Sequence, residues 1–121
     1  MKILIVDDSK AMRTLLKRSL RMAGFSHHDT AEAENGADAV QAVAKELPDL
    51  VISDWNMPKM SGLELLQTLR ANGSTVTFGF VTTEASDEMR AAAKQAGAHF
   101  LITKPFTPET IESTLTPVLG D

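Results

Sequence analysis

The run Val51-Ile52-Ser53-Asp54-Trp55-Asn56-Met57-Pro58, continued by Lys59-Met60-Ser61-Gly62, decides how the rest of the chain reads. Pro48 and Asp49 break the chain ahead of it, and Leu50 to about Ser53 is a short apolar run, as a buried strand requires. The run stops at an acid, Asp54, after which Pro58 and Gly62 mark a loop. A carboxylate at the C-terminal end of a buried strand lies where open α/β sheets hold their ligands.

Upstream, Ile3 to Val6 is a continuous apolar run, as expected of a strand covered on both faces, and it ends in Asp7-Asp8. Met12, Leu15, Leu16, Leu20 and Ala23 follow at helical spacing, with Gly24 as a left-handed stop. Thr30 to Ala33 is a weak, polar strand suited to a sheet edge. Asn35-Gly36 then turns into a helix with Ala37, Val40, Ala44 and Leu47 on one face, closed by Pro48.

Downstream, Ser61 caps a helix carrying Leu63, Leu66 and Leu69, which ends near Asn72-Gly73. Val76 to Val81 is a strand with Gly79 as a weak point in its middle. Ser86 caps a helix with Met89, Ala92, Ala93 and Ala96 inward, stopped by Gly97. Phe100 to Ile102 is the fifth strand. Thr107-Pro108-Glu109 opens the last helix, which Pro117 is expected to kink or end early. Five strands alternating with five helices predict one α/β domain over residues 1–121, a parallel sheet with helices on both faces.

Composition fits that reading. Of 121 residues, 43% are hydrophobic and 23% charged, ordinary for a globular domain. A net charge of -4 with no basic block argues against nucleic acid as a partner. No cysteine is present, which excludes disulfides and thiolate metal sites. The first apolar run is too short for a signal peptide or a membrane span, so a cytoplasmic domain with no membrane partner is expected.

Chemistry emerges when the strand ends are compared. They supply Asp7 and Asp8, Asp54, Thr82 and Thr83, and Lys104, all on one edge of a parallel sheet. Three carboxylates brought together raise each other's proton affinity unless a cation joins them. An oxygen-only ligand set favours a hard cation such as Mg²⁺. A hydroxyl and an ammonium opposite it complete a cradle for a phosphoryl group. Taken singly, each residue has an ordinary use: a helix cap for Asp8, a surface lysine for Lys104, a strand threonine for Thr82. Four independent strand ends that each offer what a phosphoryl site needs are harder to dismiss.

Asp7-Asp8, Asp54 to Pro58, Ser61 to Leu66, Val81 to Glu84 and Lys104-Pro105-Phe106 fall in an order and spacing that resembles the receiver domain of two-component response regulators, of the single-domain CheY-like type. The likeness covers essentially the whole chain. It implies a flavodoxin-like (βα)5 three-layer sandwich with the strand order 2-1-3-4-5 that this type follows. It further implies that Asp54 is the phosphoacceptor, that Asp8, Asp54 and the backbone carbonyl of Asn56 bind Mg²⁺, and that Asp7 acts largely through water. Lys104 would hold a phosphoryl oxygen and precede a cis peptide to Pro105, and Thr82 would be the switch hydroxyl. The implied partners are a sensor histidine kinase as donor and an unidentified downstream protein, read out through the fourth helix, fifth strand and fifth helix of a monomer. Glu84 and Asn56 would tune hydrolysis of the acyl phosphate.

Such a protein is not an enzyme beyond promoting its own phosphorylation and dephosphorylation. A phosphorelay intermediate that passes the group to another histidine-containing protein is the alternative in the same fold. A small Asp-nucleophile phosphatase is the alternative from the enzyme class, but it wants an acid two residues after the nucleophile, where this chain has Asn56. The sequence also departs from the family pattern. Leu101 stands where many members carry a switch aromatic, and Phe100, one place away, is expected on the opposite sheet face. His27-His28 is read as a pair of solvated loop histidines rather than a metal site.

Overall fold

The computed structural model describes residues 1–119; the last two positions of the expected 1–121 domain lie outside the described residues. Strands β1 (Lys2–Val6), β2 (Asp29–Ala33), β3 (Leu50–Asp54), β4 (Thr77–Thr82) and β5 (Phe100–Thr103) alternate with α1 (Lys10–Met22), α2 (Gly36–Glu46), α3 (Gly62–Ala71), α4 (Asp87–Ala96) and α5 (Pro108–Leu119). All strand pairs are parallel, in the order β2-β1-β3-β4-β5, so the expected flavodoxin-like fold is the observed one.

Alternation along the strands builds two cores. Ile3, Ile5, Leu50, Ile52, Val81 and Ile102 face α1 and α5, where Leu16, Leu20, Ile111 and Leu115 meet them. Leu4, Val6, Val51, Phe78 and Phe80 face α2, α3 and α4. β2 is the exposed edge, as its polar composition predicted.

The register explains Gly79. It pairs with Phe100, and a Cβ built there would overlap the Phe100 ring. The aromatic thus lies over the glycine on the α1/α5 face, filling the side-chain space that the glycine leaves. Leu101 packs on the other core, so the expected displacement of the aromatic to the opposite face is observed.

Four expectations need correction. On α2 the inward residues are Gly36, Ala39 and Val43, whereas Ala37 and Ala44 are exposed. Small apolar residues occupy neighbouring stripes of this helix, so periodicity alone could not phase it. Leu47 closes α2 in the left-handed conformation (φ 48) and is 76% exposed. On α1, Leu15 is exposed and Ser19 buried in its place. Pro117 does not end α5, which continues to Leu119 although the ring removes one helical donor. Finally, His28 is buried against Phe25, with ring centroids 6.0 Å apart, and only its neighbour His27 is exposed.

Candidate functional site

The C-terminal ends of β1, β3, β4 and β5 converge, and the loops that leave them carry the chemistry. Asp7 and Asp8 follow β1, and Asp54 closes β3. One oxygen from each of these three carboxylates lies within 4.8 Å of the other two. Among the described residues this is the one cluster of acidic or histidine side chains close enough to hold a metal ion. The three differ in surroundings: Asp7 is buried, Asp54 half-buried and Asp8 exposed.

Lys104 reaches in from the end of β5. Its Nζ lies 3.4 Å from Asp54 Oδ1 and 3.7 Å from Asp7 Oδ2. The main chain fixes its origin, because the Lys104 N–H donates to the Thr82 carbonyl at 2.6 Å; the Lys104–Pro105 peptide is cis. Thr82 is wholly buried, and its hydroxyl oxygen accepts the Glu84 N–H at 3.5 Å. Asn56 lies in the β3–α3 loop with its side chain exposed, as is that of Glu84. That loop tightens through a Met60 N–H to Pro58 carbonyl bond of 2.7 Å around Lys59, whose φ is 69°. Gly62 lets the loop return beneath the site, since a Cβ there would overlap the Asp54 carbonyl. Trp55 packs its ring 4.6 Å from that of Phe80.

Burial pushes the Asp7 carboxyl above the usual carboxylate range; the Ser9 N–H pulls it back, while the neighbouring Asp54 charge adds to the rise. The sign of the stability effect follows. An acid whose folded pKa is raised binds its proton more tightly in the folded state, so stability falls as pH climbs from the ordinary carboxylate range through the raised value. At neutral pH and without a divalent cation, Asp7→Asn is therefore expected to stabilise the fold by about 1 kcal/mol. The amide oxygen can still accept the Ser9 N–H that now bonds Asp7 Oδ1 at 2.8 Å. Urea denaturation in EDTA should show the gain at pH 7 and its shrinkage near pH 4. An equal gain at both values would mean that charge is not its source.

The donor set suits a hard cation. Three oxygen acids face one ammonium, which leaves net negative charge that a small divalent ion can neutralise. The site is reached from the Asp8 side, where a groove of about 490 Å³ runs between Glu34–Asp38 and Pro58–Met60. Behind Asp7 and Asp54 the structure is nearly closed by Met12, Leu16 and Phe106 around a void of about 10 Å³.

The structure therefore brings together Asp7, Asp8, Asp54 and Lys104 as the sequence predicted, with Thr82 anchored beside Lys104 through the main chain. Sequence reading missed Arg13. Its guanidinium Nη1 donates to the Asp7 carbonyl while its Nε bonds Glu32 Oε1 at 2.8 Å. Only the fold, which lays α1 across the β1–β2 edge, could have revealed it.

The site is thus an acid triad and a lysine at the carboxyl edge of a doubly wound parallel sheet. Residues 3–116 match the family described as the response regulator receiver domain, and the chain belongs to that family. A chemotaxis protein CheY homolog from Campylobacter jejuni (serotype O:23/36, strain 81-176) is 42% identical, over 99% of this chain and 93% of the relative. Among solved structures, chemotaxis protein CheY4 of Vibrio cholerae superimposes with a TM-score of 0.86 at 35% identity, covering 97% of both chains. A receiver domain protein from Clostridium thermocellum, at 21% identity, shares the fold with a TM-score of 0.85 over 98% of this chain and 94% of its own. The chain is thus the receiver domain of a CheY-like response regulator. Receiver domains generally bind Mg²⁺ in an acidic pocket such as this one. Among the described residues, no helix is long and apolar enough to cross a membrane.

Proposed function

We propose that this domain is a cytoplasmic, monomeric switch that accepts a phosphoryl group from a sensor histidine kinase on Asp54. The observation that carries this reading is the approach of Lys104 Nζ to Asp54 Oδ1, 3.4 Å, inside a ring of three carboxylates. In the reaction an Asp54 carboxylate oxygen attacks phosphorus, a P–O bond forms, and the P–N bond to the donor imidazole breaks. Mg²⁺, held by Asp8, Asp54 and the Asn56 carbonyl with Asp7 acting through water, would neutralise phosphoryl charge when bound. Lys104 faces the same oxygen and is placed to hold one phosphoryl oxygen.

Thr82 supplies the switch. Its 3.5 Å bond from Glu84 is at the limit of hydrogen-bond geometry, so little is lost when the hydroxyl turns to a phosphoryl acceptor. The phosphoryl group adds about two negative charges, and the arrangement of the β4–α4 loop that lets Thr82 reach them is favoured. The proposed readout is the α4–β5–α5 face, where Arg90, Lys94, His99 and Leu101 line a groove of about 290 Å³ that would take a downstream protein. Glu84 and Asn56 would tune the lifetime of the acyl phosphate.

Intact mass after incubation with acetyl phosphate tests the proposal. A single phosphoryl adduct is expected with Mg²⁺ and none in EDTA. Failure to form an adduct with acetyl phosphate and with a panel of histidine kinases would overturn it.

A further inference from the structure

Arg13 has no part in the strand-end chemistry, yet it joins the acidic site to the edge of the sheet. It lies in the first turn of α1 with its side chain only 12% exposed. Glu32 of β2 takes its Nε at 2.8 Å and is itself held through its other oxygen by Lys17 Nζ at 3.0 Å. The β1–β2 pairing extends one residue past β1, through the Asp7 N–H to the Ala33 carbonyl at 3.1 Å. Beyond that bond, the carbonyl of Asp7 is taken by Arg13 Nη1.

That carbonyl belongs to the peptide linking Asp7 to Asp8. Holding that oxygen fixes ψ of Asp7, and with it the direction in which the chain carries Asp8 relative to Asp7, so the spacing of the two carboxylates depends on it. The geometry points to Arg13 as a positioning residue of the proposed cation site: fixed by Glu32, its guanidinium locks the Asp7–Asp8 peptide plane and sets the affinity for Mg²⁺. The inference rests on the reading of the acid triad as a Mg²⁺ site. A planar guanidinium can donate in two fixed directions, to the carbonyl and to Glu32, whereas a lysine ammonium is a point charge that does not reproduce the fork.

Charge and position pull in opposite directions here. Arg13 is a cation near a cation site, so if only its charge mattered, removing it would tighten Mg²⁺ binding. If it positions the ligands, removing it weakens binding, as loss of a residue that orients metal ligands does, by about tenfold. The experiment is a Mg²⁺ titration of the full chain followed by Trp55 fluorescence and checked by calorimetry, for wild type, Arg13→Met and Arg13→Lys. Urea denaturation of each variant accompanies it.

The expected result is about tenfold weaker binding for Arg13→Met and a smaller loss for Arg13→Lys, which keeps the charge but not the fork. Unchanged or tighter binding by Arg13→Met overturns the inference, as does a lowered urea midpoint with unaltered affinity, which would mark a purely structural residue. If Arg13→Met does not fold, Arg13→Lys decides alone, and wild-type affinity in that variant overturns the inference. Absence of Mg²⁺ binding by the wild type sinks the underlying site reading and is thereby told apart from failure of the Arg13 step.

Discussion

Asp54→Asn is expected to reduce phosphoryl uptake from acetyl phosphate by on the order of a thousandfold or more while leaving the protein folded. A carboxamide is not a nucleophile at neutral pH, and neither neighbouring acid is well placed to substitute. Asp7 is buried, with Oδ1 accepting the Ser9 N–H and Oδ2 turned to Lys104, so an incoming donor meets no open oxygen there. Asp8 is exposed, and of the three acids only Asp7 and Asp54 lie within 4.0 Å of Lys104. Nucleophilic charge and ammonium therefore meet best at Asp54. Stability should barely change, because the substitution keeps the volume and relief of the repulsion from Asp7 and Asp8 is offset by loss of the Lys104 ion pair. Intact mass and peptide mapping check the outcome. An adduct of wild-type yield on the variant would move the phosphoacceptor to Asp7 or Asp8.

How far the chain could be read without coordinates follows from where the information sits. Strand ends are local: an apolar run and the residue that stops it are adjacent in sequence, so Asp7, Asp8, Asp54, Thr82 and Lys104 were all legible. Their convergence followed from parallel topology, and the strand order came from family resemblance. Helix faces were less legible where several stripes were apolar. α2 has small residues at 36, 37, 39, 42 and 44, and burial of Gly36 against Met60 chose among them. Gly79 and Phe100 were both visible, but their pairing depends on the β4–β5 register, which no local signal encodes. Burial of His28 likewise depends on how the α1–β2 turn folds onto Phe25. Arg13 was hidden for the same reason: its partners Asp7 and Glu32 are 6 and 19 residues away. A basic residue on a helix face looks alike whether it meets water or a carbonyl.

Asp8→Asn should lower Mg²⁺ affinity by at least about a hundredfold, more than Asp7→Asn does. Both changes remove one charge from the cluster, so a count of charges alone predicts equal losses. The surroundings separate them. Asp8 is exposed at the mouth of the 490 Å³ groove, where an incoming hydrated ion can exchange water for carboxylate oxygen without opening the fold. Asp7 is only 5% exposed, its Oδ1 is occupied by the Ser9 N–H and its Oδ2 faces Lys104. For Asp7 to serve as a direct ligand it would have to give up those contacts, whereas acting through water leaves them in place. Loss of such an outer partner costs about tenfold or somewhat more, and loss of a direct ligand exceeds that. Titration at constant ionic strength, read by Trp55 fluorescence and calorimetry, measures the order. Equal losses, or a larger loss for Asp7→Asn, would place Asp7 in direct contact with the ion and require the Ser9 and Lys104 contacts to rearrange on binding.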